Sequence, residues 1–134
     1  MSAWGHGFFE NDNAGDWAYR LDCGRDLRFV EETLDRALGP QRMAFWEGEE
    51  VLAAVETVAR LKGKWGRCDS STRPVDDWIK NSSHLLTPAL LEKAAAALER
   101  VAADSSSLSL VWEGSRLHEE WLHNIGDLRA RISE

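Results

Sequence analysis

The sequence EEVLAAVETVARLKG, residues 49–63, sets the fold class of the chain. Its apolar side chains recur at steps of three and four, which brings them to one face of an α-helix. The stripe is formed by Val51, Leu52, Val55, Val58, Ala59 and Lys62. We expect Glu49 and Glu50 in the first turn, where the helix dipole favours negative charge, and the end of the helix at Gly63.

Two more helices are predicted on the N-terminal side of this segment. Asp12 or Asn13 can cap a short helix that ends at Cys23, because Asp and Asn side chains accept hydrogen bonds from the free N–H groups of a helix start. Asp26 can cap a second helix, which is followed by Gly39 and a proline, a standard helix stop.

The C-terminal side also shows helical spacing. A short helix is predicted over residues 75–80, and Thr87 with Pro88 in the first helical position begins another, which runs to about Asp104. Serines 105–107 are expected to separate it from the last helix. The last helix buries one seam of side chains at steps of three and four: Leu117, Trp121, Ile125, Leu128 and Ile132.

No segment alternates polar and apolar residues as a strand does, so the predicted fold class is all-α. We expect residues 1–134 to form a single compact bundle of about five to six helices, since this length suits one domain. The glycines and aromatic residues of positions 1–12 predict an ordered N-terminal loop. Residues 63–74 predict a flexible loop, because this connection is longer than is usual between packed helices.

Composition limits the classes of function. Hydrophobic residues make up 43% of the chain and charged residues 29%, which is typical of a globular domain. Sixteen basic and 23 acidic residues give a net charge of −7, which argues against nucleic acid as a partner and allows a basic protein partner. We find neither a signal peptide nor a membrane span, so we expect no membrane association and a cytoplasmic location.

The common catalytic and metal motifs are not matched by this sequence. Cys23 and Cys68 fit no zinc spacing, and His118 and His123 lie five residues apart, whereas a zinc-binding helix places its histidines four apart. No serine lies in a Gly-x-Ser-x-Gly elbow, and acidic residues follow the N-terminal Gly-x-Gly where a phosphate loop would carry lysine. We therefore predict no catalytic residue, no metal site and no cofactor.

A dense polar cluster marks the start of the first helix. Its candidate recognition residues are Trp4, Phe9, Glu10, Asn11, Asp12, Asp16 and Trp17. In the structural interpretation, Asp12 caps the helix, Asn11 bonds its own loop, and Asp16 ties the segment down through an arginine or other donor. A single cap does not require so many polar groups between aromatic residues, so a recognition surface stays open as an interpretation.

Seven tryptophans are spread along the chain at about one per element. Dispersed tryptophans usually belong to the core, and we expect four or five of them inside. Trp46 and Trp65 are predicted at an edge or an interface.

The N-terminal sequence AWGHGFFEND of residues 3–12, with Ala14, Asp16 and Trp17, resembles the opening signature of the bacterial domain of unknown function 4259 family. The similarity continues through residues 51–61 with Gly63, residues 98–101, 112–113 with Trp121, and 128–131. It covers essentially the whole chain. The family has no assigned activity, so the resemblance implies a bacterial source and supplies no catalytic residue.

Three functional hypotheses follow from these observations. The first is a non-enzymatic protein-binding module, of which a bacterial toxin-neutralising immunity protein is one concrete form. The second is a small-molecule or metal site, with hydrolysis as one form of it, built from Glu10, Asn11, Asp12 and Asp16 against the aromatic loop. The third is a helical subunit that buries Trp46 or Trp65 by self-association.

Overall fold

A computed structural model describes residues 7–81, 84 and 86–133. All regular structure in these residues is helical, which confirms the all-α class. Seven helices occur in this part of the chain: α1 (Asp12–Asp22), α2 (Leu27–Leu38), α3 (Phe45–Leu61), α4 (Arg73–Asn81), α5 (Pro88–Ala102), α6 (Ser107–Glu113) and α7 (His118–Ser133).

Helix α3 is the centre of the fold and packs against each of the other six helices described. Thirteen consecutive residues, 48–60, are buried, so the helix is enclosed on all sides rather than on one stripe. It begins at Phe45, four residues before the predicted start. The prediction that Glu49 and Glu50 lie in the first turn is therefore wrong, and both side chains are buried further along the helix.

The early start of α3 has a local cause that differs from a normal cap. Ala44 is the N-cap residue and has no side-chain acceptor. Instead, the Glu47 carboxylate accepts a hydrogen bond from the Ala44 backbone N–H at 3.0 Å, which is the backward-reaching half of a capping box.

The predicted caps of α2 and α5 are confirmed. Asp26 accepts a hydrogen bond from the Arg28 backbone N–H at 3.1 Å, and Thr87 accepts one from the Leu90 N–H at 3.2 Å. Pro88 occupies the first turn of α5, where a missing N–H costs nothing. These helix starts are set by residues adjacent in sequence.

Helix α6 was not predicted, and it raises the number of helices above the five or six expected. Serines 105–107 do end α5, but Ser106 also caps α6 by accepting a hydrogen bond from the Ser109 N–H at 3.0 Å. Leu108 and Trp112, four residues apart on one face, then bury this short helix.

The tryptophans divide as predicted among the six that lie in described residues. Trp17, Trp78, Trp112 and Trp121 are buried, whereas Trp46 and Trp65 are 42% and 39% exposed. Trp112 and Trp121 stack with their ring centroids 5.6 Å apart, which joins α6 to α7.

None of the described helices combines the length and apolar character that a membrane span requires.

Candidate functional site

The structure divides the predicted N-terminal cluster between several roles. Asn11 is the N-cap of α1, where its side chain accepts a hydrogen bond from the Ala14 N–H at 2.8 Å. The prediction that Asp12 or Asn13 caps this helix is therefore wrong. Asn11 has the extended backbone that an N-cap needs, whereas Asp12 already lies in the first helical turn.

The aromatic members of the cluster belong to the core. Phe9 is buried, and Trp17 is fully buried and stacks on Phe29 with ring centroids 5.4 Å apart. The Trp17 indole N–H donates to the Thr33 hydroxyl at 2.8 Å, so its polar atom is also satisfied inside the protein. Trp4 lies outside the described residues.

The polar members do not come together. Asp12 and Asp16 lie on the exposed side of α1, where Asp16 pairs with Arg20 at 3.2 Å, as the arginine-partner interpretation expected. Asn11 faces the helix start, and Glu10 faces the opposite direction, towards a neighbouring loop. Within the described part of the chain, no three His, Cys, Asp or Glu side chains are placed to hold a metal ion.

Glu10 lines a polar cleft, which is the candidate functional site. Its carboxylate accepts hydrogen bonds from the Gly7 N–H at 3.1 Å and from Arg67 at 3.3 Å. The cleft has a volume of about 150 Å³ and lies between residues 7–10, α3, residues 66–72 and α7. Its charged lining residues are Glu10, Glu56, Arg60, Arg67, Asp69, Asp127 and Arg131.

The floor of the cleft is a buried ionic network centred on Arg60. The Arg60 guanidinium donates to Glu56 at 3.0 Å and to Asp76 at 2.6 Å, and all three side chains are at least nine-tenths buried. Burial alone would lower the pKa of Arg60, but the charges of Glu56 and Asp76 hold that pKa above its ordinary value. Arg60 is thus fixed as a cation inside the protein.

Arg131 forms the wall on the α7 side. It binds both carboxylate oxygens of Glu56, at 2.6 and 2.7 Å, in the two-pronged geometry that a guanidinium favours. Its Nε donates to Asp127 at 2.9 Å. The hydrogen bond to Glu56 raises the pKa of Arg131 despite partial burial. Glu56 therefore lies between two arginines from different helices.

The predicted flexible loop supplies the third wall. Asp69 accepts hydrogen bonds from the backbone N–H and the hydroxyl of Ser71, at 2.9 and 2.6 Å, and from Arg67 at 2.9 Å. The Ser71 hydroxyl is the main reason that the pKa of Asp69 lies below its ordinary value. Thr72 closes the loop by donating to Asp76 at 2.7 Å. These hydrogen bonds hold the conformation of residues 67–72. The flexibility of the loop over residues 63–74 stays a prediction.

The chemistry of the cleft depends on how its arginines and carboxylates pair with one another. Each of its three guanidiniums is bonded to carboxylates, and four carboxylates line the walls with Asp76 behind them. Trp65 lies beside the cleft with its ring 5.3 Å from the Arg60 guanidinium carbon. Carboxylates with spare lone pairs next to an exposed indole suit a hydrogen-bond donor that carries positive charge.

Sequence reasoning found Glu10 but missed the centre of the site. Glu56 and Arg60 lie four residues apart on α3, a spacing typical of an ion pair, and this signal was available. No sequence signal connects Glu56 with Arg131, because 75 residues separate them.

The histidines of α7 and Cys23 lie apart from this centre, whereas Cys68 lies next to it. His118 packs edge-on against Trp121, His123 is exposed on α7, and Cys23 and Cys68 are exposed free thiols. Of these side chains, Cys68 approaches the network, accepting a contact from Arg60 at 3.4 Å.

The structure is a small helical domain with a charged cleft. The chain belongs to the family described as Domain of unknown function (DUF4259), whose model matches residues 2–124. This confirms the resemblance carried by the N-terminal motif. No curated protein and no solved structure matches the chain. The matched range includes Glu10, Glu56 and Arg60, whereas Asp127 and Arg131 follow it.

Proposed function

We propose that this domain is a non-enzymatic protein-binding module whose cleft receives a basic side chain of its partner. The observation that carries the proposal is the surplus of acceptors in the cleft. All three arginines there are bonded to carboxylates of this chain, and four carboxylates line the same walls. The carboxylates outnumber the arginines by one, so a lysine or arginine from outside would meet a lining with a net negative charge.

The rim carboxylates are accessible enough to meet such a partner. The side chains of Glu10, Asp69 and Asp127 are 20%, 33% and 57% exposed, in contrast to the enclosed Glu56. The lowered pKa of Asp69 keeps it ionised well below neutral pH. An ionised carboxylate that is partly desolvated is suited to a charge-assisted hydrogen bond with a guanidinium or ammonium group.

Two properties of the whole chain support the same partner. The net charge of −7 attracts a basic surface and accelerates encounter with it. Trp65, 39% exposed beside the cleft, is the residue type most enriched among side chains that dominate interface energies. A bacterial immunity protein that covers the basic active site of a toxin is the concrete form we propose.

The test is a comparison of two charge-matched double variants. Tagged wild-type protein is used to capture partners from lysate of the source cell, and the captured protein is purified and titrated by calorimetry. The cleft variant is Glu10→Gln with Asp127→Asn, and the control is Glu119→Gln with Glu120→Gln, which removes the same charge from the exposed first turn of α7.

We expect the cleft variant to weaken binding by about tenfold or more, and the control to change it much less. Circular dichroism checks that both variants fold. Equal losses in the two variants would show that only net charge matters and would contradict a cleft site. Capture of no stoichiometric partner would overturn the binding proposal itself.

A further inference from the structure

A second pocket, distinct from the cleft, has the opposite charge character. It has a volume of about 200 Å³ and lies between the α2–α3 connection, the end of α5 and the α5–α6 turn. It shares no lining residue with the cleft. Two arginines and three serines line it, and no carboxylate does, within the described residues. This is unexpected in a chain with a net charge of −7.

Arg42 is held in place at one side of this pocket. Its Nε donates to the Ser107 hydroxyl at 3.0 Å, and its Nη2 donates to the Ser105 carbonyl at 2.7 Å. These two bonds connect the α2–α3 connection to the start of α6 and fix the plane of the guanidinium. The Nη1 group takes part in no hydrogen bond with the described residues. A preorganised guanidinium with free N–H groups is suited to an oxyanion.

Arg100 supplies a second positive charge from the last turn of α5. Its side chain forms no ion pair with any residue in the described part of the chain, although carboxylates outnumber cations overall. Arg60 and Arg131 are enclosed and paired with carboxylates, whereas Arg100 is exposed. Arg100 is therefore available to an anion from outside.

The serines and the apolar wall complete the pocket. The Ser107 oxygen accepts its hydrogen bond from Arg42, so its own hydroxyl proton can be donated to a ligand. Met43 and Ala44, both partly exposed, form the accessible apolar surface beside these polar groups, and the buried Val101 and Leu108 lie behind it. A cationic side next to an apolar side is the arrangement that binds an amphipathic anion.

We propose that this pocket binds a small organic oxyanion, with a phosphate or carboxylate head at Arg42, Arg100 and Ser107 and a short apolar chain against Met43 and Ala44. The volume is below the roughly 300–1,000 Å³ of pockets for drug-sized ligands, so the chain is a few carbons long. This proposal is independent of the proposed function, because no residue is shared between the two sites.

The test is a ligand titration of the full chain, in which heteronuclear NMR spectra record the chemical-shift changes at each ligand concentration. The probes are butyl phosphate, butyrate, inorganic phosphate and butanol, each used alone at constant ionic strength. We expect saturable shifts around the α5–α6 turn with butyl phosphate or butyrate, and the stronger of these two identifies the head group. Inorganic phosphate lacks the chain and butanol lacks the charge, so both should bind at least several-fold more weakly.

Matched variants locate the site. Arg100→Gln is expected to weaken binding of the preferred anion by about tenfold, because it removes a charge-assisted hydrogen bond. Arg28→Gln, which removes an equally exposed arginine on α2, should leave binding unchanged. Arg42→Gln is a second variant in case the first rearranges α5, and its fold is checked from the same spectra.

Three results would overturn the proposal. The first is no saturable shift with either organic anion. The second is equal affinity for inorganic phosphate and butyl phosphate, which would remove the role of the apolar wall. The third is an equal loss in Arg28→Gln and Arg100→Gln, which would show general attraction to positive charge rather than a site.

Discussion

Two glutamates six residues apart on α3 make the same kind of contact in different surroundings. Glu56 binds Arg60 and Arg131, whose side chains are 2% and 12% exposed. Glu50 binds Arg20 and Arg36, whose side chains are 43% and 36% exposed. Each carboxylate thus lies between two guanidiniums from separate parts of the chain. The two networks differ in the solvent exposure of their arginines, which is high around Glu50 and low around Glu56.

The solvent exposure of the arginines determines how much each ionic network contributes to the stability of the fold. Water can replace a lost partner at Glu50, because Arg20 and Arg36 approach it from the surface. Replacement by water is less complete at Glu56, because its side chain is 5% exposed and both its partners are enclosed, so a lost partner leaves a charge in a lower dielectric. We therefore infer that the Glu56 network fixes the shape of the cleft, while the Glu50 network contributes little to the free energy of unfolding.

The strongest test of the comparison is Arg60→Met. It removes the buried cation from Asp76 and leaves Glu56 with one partner, so we expect the free energy of unfolding to fall by about 3–5 kcal/mol. Urea unfolding at neutral pH measures the change. The control is Arg67→Met, at a guanidinium that is 69% exposed. A loss at Arg60 no larger than that at Arg67 would contradict the comparison.

A smaller, pH-dependent effect is expected at Glu49, which is buried beside Glu50. Its Oε1 accepts a hydrogen bond from the Asn13 amide at 2.8 Å, and its Oε2 has no hydrogen-bond partner among the described residues. Burial raises the pKa of Glu49 above its ordinary value of 4.5, and the Asn13 hydrogen bond opposes this only in part. Between 4.5 and the raised pKa, the folded state binds more protons than the unfolded state. The wild type therefore loses stability as pH rises through that interval.

Glu49→Gln removes this titration and keeps an acceptor for Asn13. We expect the variant to gain stability relative to the wild type as pH is raised from 4.5 towards neutral, measured by thermal unfolding across that range. Glu119→Gln, at an exposed position on α7, is the control and should show a flat difference. A flat difference at Glu49 as well would mean that its carboxylate is not perturbed by burial.

The third test concerns the exposed network. Arg36→Gln leaves Glu50 with Arg20 and with access to water, so we expect a loss of about 0–1 kcal/mol. Urea unfolding at low and high salt should show a loss that shrinks as salt increases. A loss that matches Arg60→Met and does not respond to salt would show that the two networks are equivalent.

The smallest effect is expected for Asp127→Asn. The Asp127 side chain is 57% exposed and pairs with Arg131 within one helix, while Arg131 keeps both bonds to Glu56. We expect a change in the free energy of unfolding within about 0.5 kcal/mol by urea unfolding. A larger loss would mean that Asp127 is needed to hold Arg131 in place.

Several helices could be predicted from local signals, although the cap of α1 was assigned to the wrong residue. The caps Asp26 and Thr87 were predicted because an N-cap depends on residues adjacent in sequence. The buried seam of α7 was predicted because its apolar residues recur at regular helical spacing. The start of α3 was missed because residues 44–48 contain no capping side chain at the N-cap and include Gly48. Helix α6 was missed because seven residues are too few to show a period.

The candidate site was only partly predictable. Glu10 stood out in a dense polar motif, yet its neighbours Asn11 and Phe9 proved to be a cap and a core residue. Asp76 and Arg131 reach the site from α4 and α7, and their positions depend on how these helices pack against α3. Such contacts between distant segments leave no pattern in a single sequence.

The contacts at the end of α7 have a practical consequence. Lys62 donates to the carbonyls of Arg131 and Ile132, at 3.3 and 2.8 Å, and Arg131 in turn binds Glu56. A shortened form that stops at residue 124, where the family match ends, would lose one wall of the cleft and leave a buried carboxylate half-neutralised. The cleft therefore needs residues 125–133 of α7, beyond the end of the family match.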